Sequence, residues 1–502
     1  MAFTFINSII SWFLKKRKHQ VELFLKYPTD VQNELLMKLL NCAKNTEYGK
    51  SYDFDSLTSY TDYANRVPIR TYESFEPLIE RCRKGEQNIF WPTHIRWFAK
   101  SSGTTNAKSK FIPVSEEAIE NCHLKAGKDM LCLYINNNED AQLFTGKGLR
   151  LGGSSAVYED NNSYFGDLSA IIIENMPFWA DFSSAPKQEV ALMSEWETKM
   201  EAIIDETIHE NITSLVGVPS WMLVLLNRVL EKTGKNNILE VWPNLEVYFH
   251  GGVNFNPYRE QYKKLIPRKD FRYYETYNAS EGFFAIQDRN NSEELLLMLD
   301  YGIFYEFIPM SSFKGENSKA IPLAEVKKDI NYAIVITTNG GLWRYLIGDT
   351  VKFTSIKPYR IKVTGRTKHH INVFGEELII ENVEEGLKVA CLKTNATVKD
   401  YTVGPVFMNG NSQGAHEWVI EFEKKPEDLT FFTQTLDNHL KNCNSDYEAK
   451  RYNNLTLAMP KVHQARNGLF YDWLKEKGKL GGQHKVPRLS NEREFIEELL
   501  KL

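Results

Sequence analysis

The 502-residue sequence carries 61 basic and 65 acidic side chains, for a formal net charge of -4, and 42% of its residues are hydrophobic. The balanced charge excludes a general attraction to nucleic acid or to an anionic membrane, so any basic site must be local. The length predicts up to three folded units, or one large α/β unit and one small one.

The chain begins with a largely apolar stretch, Met1 to Leu14, followed by the basic run 15–18. A secretory signal has its charges before the apolar region, and a bilayer span needs about 20 apolar residues. We therefore expect a helix that docks on the body of the protein, with attachment to a membrane surface as the alternative. Helical periodicity from Val21 to about Glu80 predicts a scaffold.

A loop of small and hydroxyl side chains follows the apolar run Ile95 to Phe98. The loop reads Ser101, Ser102, Gly103, Thr104 and Thr105. Such residues let backbone N–H groups and hydroxyls approach a polyphosphate. Lys110 to Val114 is a predicted strand, and Ser115 is positioned to cap a helix that runs to about Tyr134.

Strands that end in glycine or hydroxyl turns then recur along the chain. They are predicted at Leu149 to Leu151, Ser214 to Val218, Asn244 to Phe249 and from Arg272 to Glu275. Helices follow Pro219 and Pro257, which predicts a mostly parallel sheet with helices on its faces. In such sheets the ligand lies beyond the carboxyl ends of the strands.

The pattern becomes antiparallel from Leu295. Strands at 295–299 and 303–308 are predicted to form a hairpin around Asp300-Tyr301-Gly302. The polar stretch that starts at Thr364 marks the predicted boundary between a large domain, residues 1–365, and a small α/β domain, residues 366–502. Within the small domain we predict a helix from Leu429 to Cys443, a strand from Leu455 to Met459 and a basic, glycine-rich loop from Gly478 to Arg488.

Four of these motifs, in this order, resemble those of the adenylate-forming superfamily of acyl-CoA synthetases, nonribosomal adenylation domains and luciferases. They are Ser101 to Thr105, Tyr277 to Glu281, Tyr345 to Asp349 and Gly365-Arg366. The sequence is most similar to the auxin-responsive acyl-acid amido synthetases and their bacterial relatives. Ser-Ser-Gly-Thr-Thr without a following glycine, the ending Gln483 to Arg488 and the near end-to-end length carry that resemblance.

The resemblance implies a two-domain ligase that uses ATP and Mg²⁺ to activate a carboxylic acid as an acyl-adenylate. It then passes the acyl group to an amine, most often an amino acid. By resemblance, Ser101 to Thr105 hold the β and γ phosphates, with Lys110 as a charge partner. Ser280 contacts the α-phosphate, and Glu281 binds the metal ion.

The remaining roles also come from the resemblance. Tyr277 is expected beside adenine, with Gly251 and Gly252 allowing close backbone approach, and Asp349 is expected to accept from the ribose hydroxyls. Arg366 adds a contact near the hinge. Lys485 is the candidate for the carboxy-terminal lysine that enters the site, with Lys479 close by and a solvated basic loop as the alternatives. Val218 and Met222 are candidates for the acid pocket, although an aliphatic helix stripe is more often core. Adjacent His369 and His370 are interpreted as hinge residues because neighbouring side chains on a strand point apart.

Two departures separate this chain from acyl-CoA synthetases. The phosphate loop lacks their second glycine, and Lys368 occupies the hinge position where they usually have aspartate. Rotation of the small domain is therefore implied only by analogy. The alternatives to amide synthesis are acyl transfer to coenzyme A, a non-catalytic ATP-binding regulator, and lipid activation at a membrane.

Six scattered cysteines without a C-x-x-C pair argue against zinc or disulfide frameworks and favour a cytoplasmic location. The expected partners are a small carboxylic acid and an amine, with no nucleic acid and no stable membrane association.

Overall fold

A computed structural model gives the structure of this chain for most of its length. It describes residues 17–101, 110–152, 158–160, 163–252, 255, 258–367, 371, 376, 378–407, 414–444, 447–448, 451, 457–480, 486–490 and 492–502.

The described helices are α1 (17–26), α2 (Pro28–Ala43), α3 (Glu47–Ser51), α4 (Tyr60–Arg66), α5 (Tyr72–Arg83), α6 (Glu116–Ala118), α7 (Lys125–Asn137), α8 (Leu168–Glu174), α9 (Phe178–Phe182), α10 (Gln188–Ala191), α11 (Trp196–Thr207), α12 (Pro219–Thr233), α13 (Arg259–Leu265), α14 (Ile380–Thr394), α15 (Leu429–Cys443), α16 (Leu469–Glu476) and α17 (Glu494–Leu499). A π-helical segment, Ile119–Leu124, joins α6 to α7. Ser115 caps α6 as predicted, since its hydroxyl accepts from Ala118 N over 3.0 Å.

The described strands are β1 (Trp97–Ser101), β2 (Lys110–Val114), β3 (Lys147–Leu151), β4 (Tyr158–Asp160), β5 (Ser163–Gly166), β6 (Ser184–Ala185), β7 (Ile212–Gly217), β8 (Val247–Gly251), β9 (Arg272–Ala279), β10 (Gly282–Ile286), β11 (Leu295–Leu297), β12 (Ile303–Pro309), β13 (Ile321–Pro322), β14 (Asn331–Thr338), β15 (Tyr345–Ile356), β16 (Tyr359–Arg366), β17 (Thr397–Val406), β18 (Ala415–Lys424) and β19 (Lys461–Ala465).

One large sheet carries both the parallel and the antiparallel sections. Among the described residues it has twelve strands in the order β13-β12-β14-β15-β16-β11-β10-β9-β8-β7-β3-β6. Strands β9, β8, β7, β3 and β6 pair in parallel, and the strands from β9 to β13 pair antiparallel. The predicted α/β fold, with a mostly parallel section and an antiparallel section, is confirmed.

Two smaller sheets complete the architecture. The first has the order β2-β1-β5-β4, and the second, in the carboxy-terminal part, has the order β17-β18-β19. Apolar side chains from α2 to α5, the small first sheet and the antiparallel section form one hydrophobic core. A second core lies beneath α11, α12 and α13, and a third joins α14 and α15 to the carboxy-terminal sheet. Of the helices in the described ranges, none combines the length and apolarity needed to cross a bilayer.

The prediction of a hairpin around Tyr301 is wrong. Both strands form, but β11 pairs with β10 and β16, whereas β12 pairs with β13 and β14. The intervening Tyr301 is buried and donates to Asp129 over 2.8 Å, while Lys125 holds Asp300. These contacts draw the connection into the core, so the two strands diverge.

The carboxy-terminal elements largely follow the predicted order. Helix α15 has the predicted bounds Leu429 to Cys443. Residues 455 and 456 of the strand expected from Leu455 to Met459 lie outside the described residues. Leu457, which is described, forms an isolated bridge with Gly414, and the described strand in this region is β19.

Candidate active site

The turn between β9 and β10 carries a hydroxyl and a carboxylate side by side. Strand β9 ends at Ala279 and β10 begins at Gly282, so Ser280 and Glu281 form the connection. Ser280 is buried, and its Oγ atom has no hydrogen-bond partner within the described ranges. Because buried hydroxyls normally have a partner, this one fits a site completed by oxygen atoms of a ligand.

A second carboxylate, Asp349, is held from two sides. It lies opposite Arg366 in the register of β15 and β16, and Arg366 Nε is 2.9 Å from its Oδ1 atom. The Tyr277 hydroxyl donates to Oδ2 over 2.7 Å. The Asp349 charge raises the pKa of Arg366. Each carboxylate oxygen keeps a further lone pair, so Asp349 can still accept hydrogen bonds from a ligand.

Glu281 shares its surroundings with Asp349 and two cations. Burial is the main cause that raises the pKa of Glu281, and the Asp349 charge raises it further, whereas Lys110 and Arg366 lower it. The Tyr345 hydroxyl lies 3.4 Å from its Oε1 atom. A cation placed beside Glu281 would therefore offset the cost of burying its charge.

The donor set at Glu281 fits a metal ion bound together with its substrate. Mg²⁺ commonly takes one or two protein carboxylates and fills its remaining positions with water and phosphate oxygens. In the described part of the chain, no group of three or more His, Cys, Asp or Glu side chains is arranged to hold a metal ion. A site preformed by protein ligands alone is thus absent from these residues, and Glu281 is the carboxylate best placed for a shared one.

Lys110 begins the strand that follows the predicted phosphate loop. Ser101 and Lys110 are register partners on β1 and β2, so the two ends of the loop lie at adjacent positions. Lys110 Nζ is 5.3 Å from the ring centre of Tyr72, and Phe111 N donates to the Tyr72 hydroxyl over 2.9 Å. Helix α5 therefore positions the start of β2 and, with it, a cation that acts on Glu281.

Gly251 and Gly252 end β8 next to β9, and each has its own reason to be glycine. A Cβ atom on Gly251 would lie 2.5 Å from Thr276 O, closer than side-chain atoms can approach a carbonyl. Gly252 has φ +80°, in the region that L side chains rarely adopt. The backbone at this turn therefore lies close to β9 at Gly251 and is exposed at Gly252.

Several predicted site residues are not brought into this cluster by the structure. The side chain of Ser101 and all of Ser102, Gly103, Thr104, Thr105 and Lys485 lie outside the described residues, as do Lys368, His369 and His370. Met222 is fully buried in the second core, and Val218 is partly exposed at the start of α12. Their roles stay predictions.

Two aromatic residues of the site were given no role by the sequence. Tyr345 contacts Glu281, and Tyr72 supports Lys110. Tyr345 stands four residues before Asp349, so its presence in the same motif was the available signal. The sequence offered no such signal for Tyr72, because this residue lies on a helix that the sequence predicts only as scaffold.

Comparison with known proteins identifies the family. The GH3 family N-terminal domain matches residues 17–271, the GH3 family central domain matches 296–366, and the GH3 family C-terminal domain matches 381–494. This chain belongs to the GH3 family. The resemblance drawn from the four motifs is thereby confirmed.

Curated GH3 relatives are distant in sequence but extend over much of the chain. Indole-3-acetic acid-amido synthetase GH3.4 of Arabidopsis thaliana is 22% identical over 93% of this chain and 90% of its own length. GH3.2 of the same plant is 24% identical over 66% of this chain and 73% of its own length. Jasmonoyl--L-amino acid synthetase JAR4 of Nicotiana attenuata is 24% identical over 66% of this chain and 68% of its own length.

Solved structures align with this chain over most of its length. The GH3.15 acyl acid amido synthetase aligns with a TM-score of 0.81 at 15% identity, covering 97% of this chain and 96% of that one. A 2-hydroxyisobutyryl-CoA ligase in the postadenylation state aligns with a TM-score of 0.60 at 13% identity, covering 94% and 90%. The fold is therefore that of the adenylate-forming enzymes.

Proposed function

We propose that this GH3 protein is an ATP-dependent acyl-acid amido synthetase. It activates a carboxylic acid as an acyl-adenylate and transfers the acyl group to the amine of an amino acid. The single observation that carries the proposal is the cluster in which Tyr277, Glu281, Asp349 and Arg366 meet. These residues come from three separate motifs and bring together the hydroxyl, carboxylate and cationic groups that an adenylating site needs.

In the first step the substrate carboxylate attacks the α-phosphorus of ATP, an oxygen–phosphorus bond forms, and pyrophosphate leaves. Catalysis of such a displacement is mainly positioning and charge stabilisation. Ser101 to Thr105 and Lys110 are proposed to hold the leaving phosphates, and Ser280 to donate to the α-phosphate. Asp349 orients the ribose, and Gly251 and Gly252 border the adenine beside Tyr277.

Glu281 is the proposed ligand of Mg²⁺. When bound, the ion neutralises charge on the phosphate oxygens and fixes their orientation. A bound cation would favour the charged form of the buried Glu281 carboxylate, as Lys110 and Arg366 already do.

In the second step a neutral amine attacks the acyl carbonyl, the carbon–oxygen bond to AMP breaks, and the amine nitrogen loses a proton. We propose that residues 1–365 form the ATP- and acid-binding domain and that residues 366–502 form a mobile domain that brings Lys485 to the site. Val218, at the start of α12, and Met222 beneath it are proposed to border the acid. The protein is proposed to act in the cytoplasm without nucleic-acid partners.

The experiment that tests this function is acid-dependent exchange of labelled pyrophosphate into ATP across a panel of aromatic and aliphatic acids. We expect exchange with at least one acid and none without acid, because the reaction reverses through the acyl-adenylate. Absence of exchange with every acid, combined with measurable ATP binding, would contradict the proposal and favour the ATP-binding regulator.

The acceptor is then identified by product analysis. Mass spectrometry after incubation with ATP, the active acid and either an amino-acid mixture or coenzyme A distinguishes an amide from a thioester. The shared fold of a 2-hydroxyisobutyryl-CoA ligase makes this comparison necessary. Amide formation alone would support the proposal, and thioester formation alone would replace it.

Tyr277→Phe tests how Asp349 is positioned. The change removes the hydroxyl that donates to Asp349 Oδ2 and leaves the ring against Phe284. A hydrogen bond to a charged group such as a carboxylate contributes about 1.5–3 kcal/mol. Arg366 still holds Asp349 in the variant, so we expect the ATP concentration for half-maximal exchange to rise by only about three- to tenfold. Tyr274→Phe on the same strand is the control, since the partners of its hydroxyl in the described part of the chain are asparagines on the other face of the sheet. Equal effects of the two changes would remove the assigned role.

A further inference from the structure

The guanidinium group of Arg488 joins the carboxy-terminal part of the chain to the part that carries the proposed nucleotide turn. Arg488 Nη2 donates to the Tyr258 hydroxyl over 3.1 Å. The two residues are 230 positions apart, and Arg488 lies three positions after Lys485. The contact therefore crosses from the carboxy-terminal part of the chain to the part that carries Glu281 and Asp349.

On the carboxy-terminal side, Arg488 is firmly anchored. Val403 N donates to Arg488 O over 2.9 Å, and Ser490 N donates to Val403 O over 3.0 Å, so this segment pairs with β17. The guanidinium also donates to Asp400 and, over 2.8 Å, to Tyr401 O, and it stacks 4.5 Å from the Tyr401 ring centre. With these groups fixed, Nη2 reaches Tyr258 across the boundary between the carboxy-terminal part and the rest of the chain, which we call the seam.

On the opposite side, Tyr258 is an equally rigid target. It is 3% exposed and belongs to the second hydrophobic core with Tyr248 and Tyr262. Tyr258 stands directly before α13, and its carbonyl accepts from Tyr262 N over 3.1 Å. In the sequence it lies six positions after Gly252, which belongs to the turn proposed for adenine.

The same seam contains two carboxylates from opposite sides. Burial raises the pKa of Glu384, on α14, to about 8; Arg488 lowers it and Glu275, on β9, raises it. Burial likewise raises the pKa of Glu275 to about 7. Arg488 favours the charged form of Glu384, so a buried cation and two buried carboxyl groups come together at this seam.

We propose that Arg488 is a positioning residue: its bond to Tyr258 latches the carboxy-terminal part of the chain onto the nucleotide side and favours the arrangement in which the acid is adenylated. Other contacts of the seam include the Tyr471–Glu197 bond, the Lys352–Glu381 ion pair and the packing of Leu480 against the second core. The latch differs from them because it fixes the segment that directly follows Lys485. Its catalytic consequence rests on the proposed function.

The test uses Tyr258→Phe and Arg488→Lys in the full-length protein. Tyr258→Phe removes only the accepting hydroxyl. Arg488→Lys keeps the positive charge but loses the planar guanidinium group, which donates to several partners at once. Loss of one hydrogen bond shifts the balance between the two arrangements by about three- to tenfold. We expect pyrophosphate exchange to fall by that factor, while amide formation from a chemically prepared acyl-adenylate stays within twofold of the native rate.

Tyr262→Phe is the matched control, because it removes a hydroxyl that donates to Pro219 O over 2.8 Å within one part of the chain. The proposal would be overturned if Tyr262→Phe changed pyrophosphate exchange and amide formation in the same way as Tyr258→Phe. It would also be overturned if both seam variants exchanged pyrophosphate at the native rate. Small-angle X-ray scattering provides a readout independent of catalysis: we expect a larger radius of gyration for the seam variants alone. If the native protein catalyses no exchange, the proposed function fails, and scattering by itself decides whether the latch exists.

Discussion

Replacement of Glu281 by glutamine is expected to lower acid-dependent pyrophosphate exchange at least about a hundredfold, the range seen when one group that stabilises transition-state charge is removed. Glutamine has nearly the same shape and can keep the contact with Tyr345, but it carries no charge. The loss therefore reports the carboxylate charge rather than a change of packing. ATP should still bind, because Asp349 and Arg366 are untouched.

The pH profile gives the same prediction a second readout. Because burial raises the pKa of Glu281, its carboxylate takes up a proton at a higher pH than an exposed glutamate does when the solution is acidified. Exchange that depends on the carboxylate should decline as Glu281 becomes protonated in the native protein, and the residual exchange of Glu281→Gln should lack this decline. A higher Mg²⁺ requirement should accompany the change.

Glu246→Gln is the matched control for Glu281→Gln. Glu246 is also a buried carboxylate whose pKa is raised by burial, and it bonds Tyr134 and Gln142 away from the site. We expect this variant to lose some thermal stability and to keep its exchange rate per folded molecule. Exchange by Glu281→Gln within threefold of the native rate, with an unchanged Mg²⁺ requirement, would show that Glu281 is not a metal ligand.

Local features of the sequence predicted local features of the structure. The Ser115 cap and the bounds of α15 follow from short-range signals, a hydroxyl before two carboxylates and an apolar stripe of helical period. The strands at Leu295 and Ile303 also carried a local signal. The pairing of these two strands could not be predicted locally, because it depends on which distant strands compete for the same edge and on the polar contacts that bury Tyr301.

The candidate site shows the same division. Motifs marked Tyr277, Glu281, Asp349 and Arg366 as residues of one site, because they occur in an order that a family shares. Neither the hydroxyl bond from Tyr277 to Asp349 nor the support of Lys110 by Tyr72 could be read from spacing, since both join segments brought together only by the completed sheets. The bond between Tyr258 and Arg488 likewise needs both parts of the folded chain.

The largest effect on stability is expected at the buried pair Arg344 and Glu306. The guanidinium donates to both carboxylate oxygens over 2.9 and 2.7 Å, and the two side chains are 6% and 1% exposed. Arg344 also donates to the carbonyls of Ala64 and Val67, each over 2.7 Å. Glu306→Leu leaves the buried cation without its counter-ion, so we expect the free energy of unfolding to fall by about 3–5 kcal/mol.

The double variant Glu306→Leu with Arg344→Met separates the uncompensated charge from the loss of the pair. Apolar replacement of both partners is often nearly neutral, so we expect it to recover most of the stability that the single change removes, less the bonds to Ala64 and Val67. Chemical denaturation measures the free energy of unfolding of each variant. Glu260→Ala is the control: both partners of its ion pair are more than half exposed, so this change should lower the free energy of unfolding by less than about 1 kcal/mol.

Arg344 O accepts from Arg70 N over 3.0 Å, and Tyr345, the next residue, contacts Glu281. The pair therefore connects the amino-terminal helices to the strand that carries Asp349, and a double variant less stable than Glu306→Leu would contradict this account of its energetics.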